Sequence, residues 1–565
     1  MLKAVKKNVI KLILVSIGAL VLGLVLIFIF SNFVPGDPIL AYLPEGKIDW
    51  ELYEQMKQHL GFNDPMFIQF IRYVFDLLTG NLGVSFSIAR GQPVFELLAD
   101  NIPLSIGFPL LPLIFGLIAG IFLGILSIKV RNRFVKLLIQ ILIVLGISMP
   151  MLFIGMWFQY ILAFQLGLFP TTGDLFLPSC ILFVLTLFLT TRQVRSNYLK
   201  PPEEKSIWSN SLHILFYSST IIASITLLET IFNLPGFFSL LITAFNNADY
   251  WVIRSGLSGL VLLLVIILLL SNLTYTIYNH YLGKSQSRRF IKFFGRNEHI
   301  IEEGARYEFD SDQKFKDFTI YRLKSPLTII GLVIVGYAII VAIFPQLLTP
   351  LTVQEAFGVY PGSWGPPSPA NPLGKTKFGR DVLALLAYGI STSVKVSFLT
   401  VLIGIVLGTS FGYLSKVHKI VKELVLGFMV ILFIVPSFFM ILIFFGILGG
   451  GVGITTGILA AYVIPIVTFL ISEGDYSFKL TAKKLVAYLP LFMGFNLLIF
   501  ESLAFFGYTD YRLITLGINI AQARAYLFIA PWASLWSGLA VFVLIMGFFS
   551  LHYGLKEPIP IAGRL

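Results

Sequence analysis

Apolar residues in this chain run in long unbroken blocks separated by short polar segments, with little strict alternation. A membrane span needs about 20 mainly apolar residues. By that measure spans are predicted near 9–33, 103–128, 137–163, 175–192, 212–232 and 257–281. A second set is predicted near 326–348, 393–415, 424–448, 451–472, 486–506 and 531–552. The run 424–472 is nearly continuous, and Gly449 to Gly453 is the predicted turn inside it. The pattern predicts an all-α polytopic membrane protein of two tandem six-helix halves, about 12 transmembrane helices. The halves are 1–282 and 326–565, joined by a charged linker, 283–325. The first block opens on Lys3, Lys6 and Lys7 and is longer than a signal peptide's apolar core of roughly 7–15 residues. It reads as a retained first span.

Composition agrees. Of 565 residues, 57% are hydrophobic and 12% charged, and the mean hydropathy is +0.87. Soluble domains carry about 25% charged residues, so an ordinary soluble enzyme is excluded, as is a disordered or collagenous chain. The net charge of +12 (41 Lys+Arg against 29 Asp+Glu) suits cytoplasmic loops facing anionic lipid. Basic segments fall at the N-terminus, at 129–136, at 192–205 and in the linker. In the second half they fall at Lys416, Lys419 and Lys422 and at Lys479, Lys483 and Lys484. They alternate with the remaining loops as an even number of spans requires. The loop 34–102 holds nine acids and four Lys/Arg and fits the outer side, which puts both termini in the cytoplasm. The linker opens SRRFIKFFGR. It reads as a solvated connection between two domains, with a segment lying flat on the inner leaflet as the alternative.

The two halves repeat one another. Gly116, Gly120 and Gly124 recur as Gly404, Gly408 and Gly412 at an offset of 288, and each triplet leads to Leu-Ser and a basic loop. Pro150 and Pro436 follow in the next span. Small residues every fourth position present a flat stripe to a neighbouring helix. Two stripes in register, running in the same direction across the membrane, indicate a parallel duplication.

No soluble catalytic motif is present. GKT at Gly374 to Thr376 lacks the upstream glycine and strand of a phosphate-binding loop. The six histidines show no metal-ligand spacing, so no metal site is expected, and the lone Cys180 permits no intrachain disulfide or redox pair. Glu229 and Glu501 stand out because each closes a span, and ionisable groups at such positions are costly. They either line a polar path or latch an outer gate, or else hydrogen-bond the local turn. Lys395 reads as a snorkelling residue. Trp251, Trp364, Trp532 and Trp536 read as an interfacial aromatic belt.

These residues carry a resemblance. The chain resembles the two permease subunits of the oligopeptide/dipeptide/nickel ABC importers, fused head to tail. In the first half FVPGDPIL (Phe33 to Leu40), Leu60 to Phe86, Gln92-Pro93-Val94, LGLFPTTGD (Leu166 to Asp174) and ETIFNLPGF (Glu229 to Phe237) with Asp249-Tyr250 carry it. In the second half NPLGKTKFGRDVLALLAYG (Asn371 to Gly389), ESLAFFGY (Glu501 to Tyr508), Ala530 to Trp532 and GLKEP (Gly554 to Pro558) are similar to the other subunit. The resemblance implies a type I ABC importer permease fold that carries peptides or similar small polar solutes by alternating access. It implies a solute-binding protein docked on the outer loops 34–102 and 346–390, with Asp37, Asp249, Tyr250, Arg380 and Asp381 on that face. It places Glu229, Pro235, Gly236, Glu501 and Gly507 near the translocation path and outer gate. It implies two ATPase domains below, binding ATP and Mg, with no cofactor and no covalent chemistry in this chain. Richness in Lys, Ile and Phe, together with the retained first span, fits a bacterial or archaeal plasma membrane.

One departure is visible. The loops between spans four and five, Arg192 to Ser211 and Ser472 to Leu489, are short and lack the family's E-A-A…G coupling pattern. Either Arg195, Glu203, Glu204, Lys205, Lys483 and Lys484 replace the usual ATPase contacts, or the protein is a degenerate permease acting as a scaffold or receptor. An ion-coupled carrier is the remaining reading; it requires mid-span acids, and Glu229 and Glu501 lie at span ends.

Overall fold

The computed structural model describes residues 2–32, 37–43, 49–130, 132–199, 207–281, 323–434, 437–472 and 478–556. The charged linker from residue 283 to 322 lies outside the described residues, as do Phe33 to Gly36 of the first motif and Glu557 and Pro558 of the last. The described chain is helical, with two isolated antiparallel bridges, Val84 to Pro93 and Lys375 to Asp381, and no strand among the described residues.

In the first half the helices are α1 (Leu2–Ser31), α2 (Trp50–His59), α3 (Met66–Thr79), α4 (Val94–Lys129), α5 (Arg133–Ser148), α6 (Met151–Phe158), α7 (Phe176–Leu199), α8 (Ile207–Ile231), α9 (Phe237–Asn246) and α10 (Tyr250–Tyr281). In the second they are α11 (Pro326–Ile343), α12 (Val353–Ala356), α13 (Val382–Leu414), α14 (Lys419–Ile434), α15 (Ser437–Leu448), α16 (Val452–Ser472), α17 (Phe478–Phe505), α18 (Leu516–Arg524) and α19 (Trp532–Lys556).

Ten of these helices are long and apolar enough to cross a membrane, and a bent pair makes up to eleven. The sequence expectation of twelve changes at two places. The span expected at 137–163 is two helices, α5 and α6, bent by 91°. Pro150 is the cause: it has no N–H to donate and disfavours helical backbone at Met149, which is extended with ψ 108°. The span expected at 424–448 is α14 followed by α15, each too short to count alone; Pro436 between them lies outside the described residues. Several helices also start earlier than expected, α4 and α13 by the most. α4 begins at Val94 and α13 at Val382, well before the expected 103 and 393. Asp381 accounts for the second, since its side chain accepts the Ala384 N–H at 3.1 Å and caps the helix.

The chain forms two compact units. One is Met1–Gly107, Lys205–Gly295 and Glu423–Gly449; the other is Phe108–Glu204, Arg296–Lys422 and Gly450–Leu565. The units are cut differently from the sequence halves because each contains helices of both. In the first unit Phe439 of α15 stacks on Phe238 and Phe245 of α9, and Phe444 meets Phe30 of α1. In the second unit Phe153 of α6 packs against Gly538 and stacks on Phe542 of α19. Thus α15 of the second half packs with α9 and α1 of the first, and α6 of the first half packs with α19 of the second.

The glycine stripes are packing surfaces, as expected. A Cβ on Gly116, Gly120 or Gly124 of α4 would lie 2.6–2.8 Å from Thr186, Thr190 or Val194 of α7. A Cβ on Gly404, Gly408 or Gly412 of α13 would lie 2.4–2.7 Å from Val463, Val467 or Ile471 of α16. Each crossing carries the same hydrogen bond: Thr191 Oγ1 donates to the Gly120 carbonyl and Thr468 Oγ1 to the Gly408 carbonyl, both at 3.2 Å. Such bonds contribute on average about 0.6 kcal/mol between membrane helices, so close packing carries most of the stabilisation.

Candidate functional site

The two glutamates that close spans are almost completely buried. Glu229 is 0% exposed and Glu501 1% exposed. Glu229 Oε1 accepts from the Ser105 hydroxyl of α4, and Oε2 accepts the Ser239 N–H of α9 at 2.8 Å. Glu501 Oε1 accepts from the Ser393 hydroxyl of α13, and Oε2 accepts the Gly517 N–H of α18 at 2.6 Å. Ser105 and Ser393 share the 288-residue offset of the glycine triplets. In each half, therefore, a carboxyl at the end of one span ties an earlier span, α4 or α13, to the N-terminus of a short following helix, α9 or α18. The free N–H groups and partial positive charge of a helix N-terminus favour an acid there. No Lys, Arg or His makes an ion pair with either glutamate among the described residues.

The other three expected gate residues divide. Gly236 is buried at the start of α9, and a Cβ on it would lie 2.3 Å from the Glu229 carboxyl carbon, so only glycine leaves room for the latch. Pro235 beside it is exposed. Gly507 is exposed with φ +84° and has nothing within 4 Å of its would-be Cβ. It is the left-handed residue that stops α17, with the Tyr508 N–H returning to the Leu503 carbonyl at 2.9 Å. Asn233, at φ 52°, does the same after α8.

The expected docking residues are mostly structural anchors of their loops. Asp249 is 0% exposed, and its Oδ2 accepts from the Ser85 hydroxyl at 2.6 Å and from the backbone N–H groups of Phe86, Ser87 and Ile88 at 3.0–3.3 Å. A carboxylate with no exposed surface cannot meet a partner directly; it shapes the turn before α4. Changing Asp249 to alanine leaves those donors unpartnered, each costing about 1–3 kcal/mol if it stays buried. Rapid protease cleavage within 85–92 is the expected result, and a wild-type cleavage rate would disprove the anchoring role. Tyr250 is also buried, and its hydroxyl lies 3.1 Å from Arg254 Nη1. Asp37 is half-buried and accepts the Tyr53 hydroxyl at 2.7 Å; this bond, with partial burial, pushes the Tyr53 pKa up to about 12. Arg380 is half-buried, donates Nε–H to the Gly358 carbonyl at 3.0 Å and lies over the Phe357 and Phe378 rings. Asp381 caps α13.

Sequence reasoning did not single out Arg254. Its guanidinium lies 4.1 Å from the Tyr73 ring centre and within 5.7 Å of those of Phe28, Tyr250 and Trp251. No local motif signals it, since the cage is drawn from α1, α3 and α10. Two tryptophans expected in an aromatic belt have a more specific place. Trp251 packs on Gly83 (φ +81°) and Trp532 on Gly374 (φ +82°). Both glycine carbonyls accept the N–H of the first residue of the next long helix, Val94 or Val382, at 3.0 Å. Trp536 is 40% exposed.

Of the expected coupling residues, Arg195 is half-buried near the end of α7 and Lys484 half-buried early in α17. Glu203, Glu204, Lys205 and the Lys483 side chain lie outside the described residues. α7 and α8 are separated only by residues 200–206, and α16 and α17 by 473–477.

Residues 116–205, which open on the first glycine stripe, match the family described as binding-protein-dependent transport system inner membrane component. The chain is 26% identical over 289 residues to a probable peptide ABC transporter permease, y4tP, of Sinorhizobium fredii, covering 45% of this chain and 91% of that protein. It is 28% identical over 302 residues to the glutathione transport system permease GsiC of Salmonella paratyphi A, covering 48% of this chain and 97% of that protein. It is 36% identical over 151 residues to the probable D,D-dipeptide transport system permease DdpB of Escherichia coli, covering 27% of this chain and 44% of that protein. The chain therefore contains a binding-protein-dependent transport domain and is a homologue of ABC transporter permeases. A permease of ordinary length accounts for just under half of it, consistent with two permeases fused in one chain.

Proposed function

We propose that the chain supplies both transmembrane halves of an ATP-driven ABC importer for peptides or similar small polar solutes. Its homology to peptide and glutathione permeases carries the reading, and the duplicated glycine crossing and glutamate latch extend it to the second half. In this reading the spans form the route across a bacterial or archaeal plasma membrane, with both termini in the cytoplasm. The chain is not itself an enzyme. ATP and Mg bind two partner ATPase domains, and a solute-binding protein docks on the loops before α4 and α13. In this reading Arg195, Glu203, Glu204, Lys205, Lys483 and Lys484 supply the ATPase contacts in place of the family's long loop. The glutamate latches and Gly236 lie beside the outer gate and set the position of α9 and α18.

Tagged protein purified from its native membranes in mild detergent is expected to bring down nucleotide-binding subunits. Its ATP hydrolysis is expected to rise when a solute-loaded binding protein is added. Recovery of no nucleotide-binding partner would overturn the importer reading and favour a scaffold without ATP coupling, which the short inner loops would then explain.

A further inference from the structure

The helix α3 has three faces. Each residue advances about 100° around a helix. Tyr73 is buried, and the Phe70 and Tyr73 rings meet Phe28 at 5.5 and 5.7 Å; together they form the side that packs on the protein. Gln69, Arg72 and Asp76 form a polar side, where Arg72 pairs with Asp64 at 2.6 Å. Phe67, Ile71, Phe75 and Leu78 fall together on the third side, at positions i, i+4, i+8 and i+11, and are 72%, 52%, 63% and 81% exposed.

We propose that this third side lies in the acyl region of the lipid bilayer, so that α3 is an interfacial helix wrapped around the ends of the spans. Two observations fix the occupant. First, α3 packs on the ends of two candidate spans. Phe28 is in the last turn of α1, and the Tyr73 hydroxyl is hydrogen-bonded to Ser258, in the third turn of α10. Second, the apolar side continues onto the exposed face of a span. The position of a Cβ on Gly80, just past α3, is 3.8 Å from the Phe95 ring, and Phe95, Ile102 and Ile106 of α4 are exposed in turn. In the apolar window of α4 only 28% of residues are buried within the protein, so the exposed side of this span faces lipid. A helix with one apolar side, one charged side and a fixed position at the span ends has the arrangement of an interfacial membrane helix. The positive-inside pattern assigns this end of α1 to the outer leaflet. The inference rests on the chain crossing a membrane and not on the importer reading.

The test uses the full chain in a Cys180→Ser background, reconstituted in phosphatidylethanolamine/phosphatidylglycerol vesicles. Single cysteines at Phe67, Ile71, Phe75 and Leu78, and at Gln69 and Asp76, carry a nitroxide label. Collision with oxygen, which concentrates in lipid, is compared with collision with a water-soluble nickel chelate. Oxygen is expected to dominate several-fold at the first four positions and the chelate at the other two. Chelate access on all sides overturns the proposal, as does exclusion of both reagents at the four apolar positions, because a second copy or a partner protein would then cover them. A photoactivatable phospholipid with its reactive group high in the acyl chain gives an independent reading on the unmodified chain. Labelling within Met66–Thr79 is expected, and its absence alongside labelling of α4 overturns the proposal.

Discussion

Changing Glu229 or Glu501 to alanine is expected to destabilise the protein by about 2–6 kcal/mol. In each case a buried hydroxyl and a buried helix N-terminal N–H lose their acceptor, and each stranded donor costs about 1–3 kcal/mol. Glutamine keeps one acceptor oxygen and is expected to cost about 1 kcal/mol. Removing Ser105 together with Glu229 is expected to cost less than the sum of the two separate losses, because each disables the same hydrogen bond. Thermal unfolding in a single detergent, read by tryptophan fluorescence, would check the order. Alanine variants as stable as wild type would show that the latches hold nothing. A glutamine variant of unchanged stability but slowed transport would instead give the carboxyl itself a part in gating.

The second large effect is expected at the glycine crossings. Leucine at Gly120 or Gly408 would drive a side chain into the facing carbonyl of Leu187 or Ile464, 2.7–2.8 Å from the position of a Cβ. Neither helix can yield locally, since those carbonyls belong to the helical backbone of α7 and α16. The helices must separate, and the bond from Thr191 or Thr468 is lost with the contact. Even alanine is expected to cost about 1–3 kcal/mol by overpacking. The leucine variants are expected to yield little folded protein on size exclusion in detergent. Gly336 is the control: nothing lies within 4 Å of its would-be Cβ, so alanine there should be neutral or mildly stabilising. Normal folding of the Gly408→Leu variant would show that the crossing is looser than its geometry.

The local devices of the chain show why some readings from sequence survive and others move. Gly116 to Gly124 and Gly404 to Gly412 were legible because a four-residue repeat of glycine in an apolar run has one efficient use, the close approach of a second helix. Pro150 was legible as a feature of its span but not as a 91° bend, since prolines are tolerated in membrane helices when neighbours satisfy the freed backbone groups. Asp249 reads in sequence as a loop acid open to partners. Only the folded chain shows a turn, more than 160 residues earlier, delivering three backbone N–H groups to it. Trp251 and Trp532 read as interfacial anchors, and the fold places each ring on a left-handed glycine of a distant turn.

The amino-acid sequence alone determined that this chain is helical, crosses a membrane repeatedly and is duplicated. Those properties depend on the hydropathy of consecutive residues and on spacing along a single helix, both of which are local. The tertiary structure alone decided which serine each glutamate meets, which helices of one half pack with helices of the other, and where Arg254 finds its aromatic cage. Those properties depend on distances between side chains far apart in sequence, and in a lipid-facing fold many helix pairings bury apolar surface equally well. Backbone fit and a few hydrogen bonds select among them, and neither can be counted until the helices are packed.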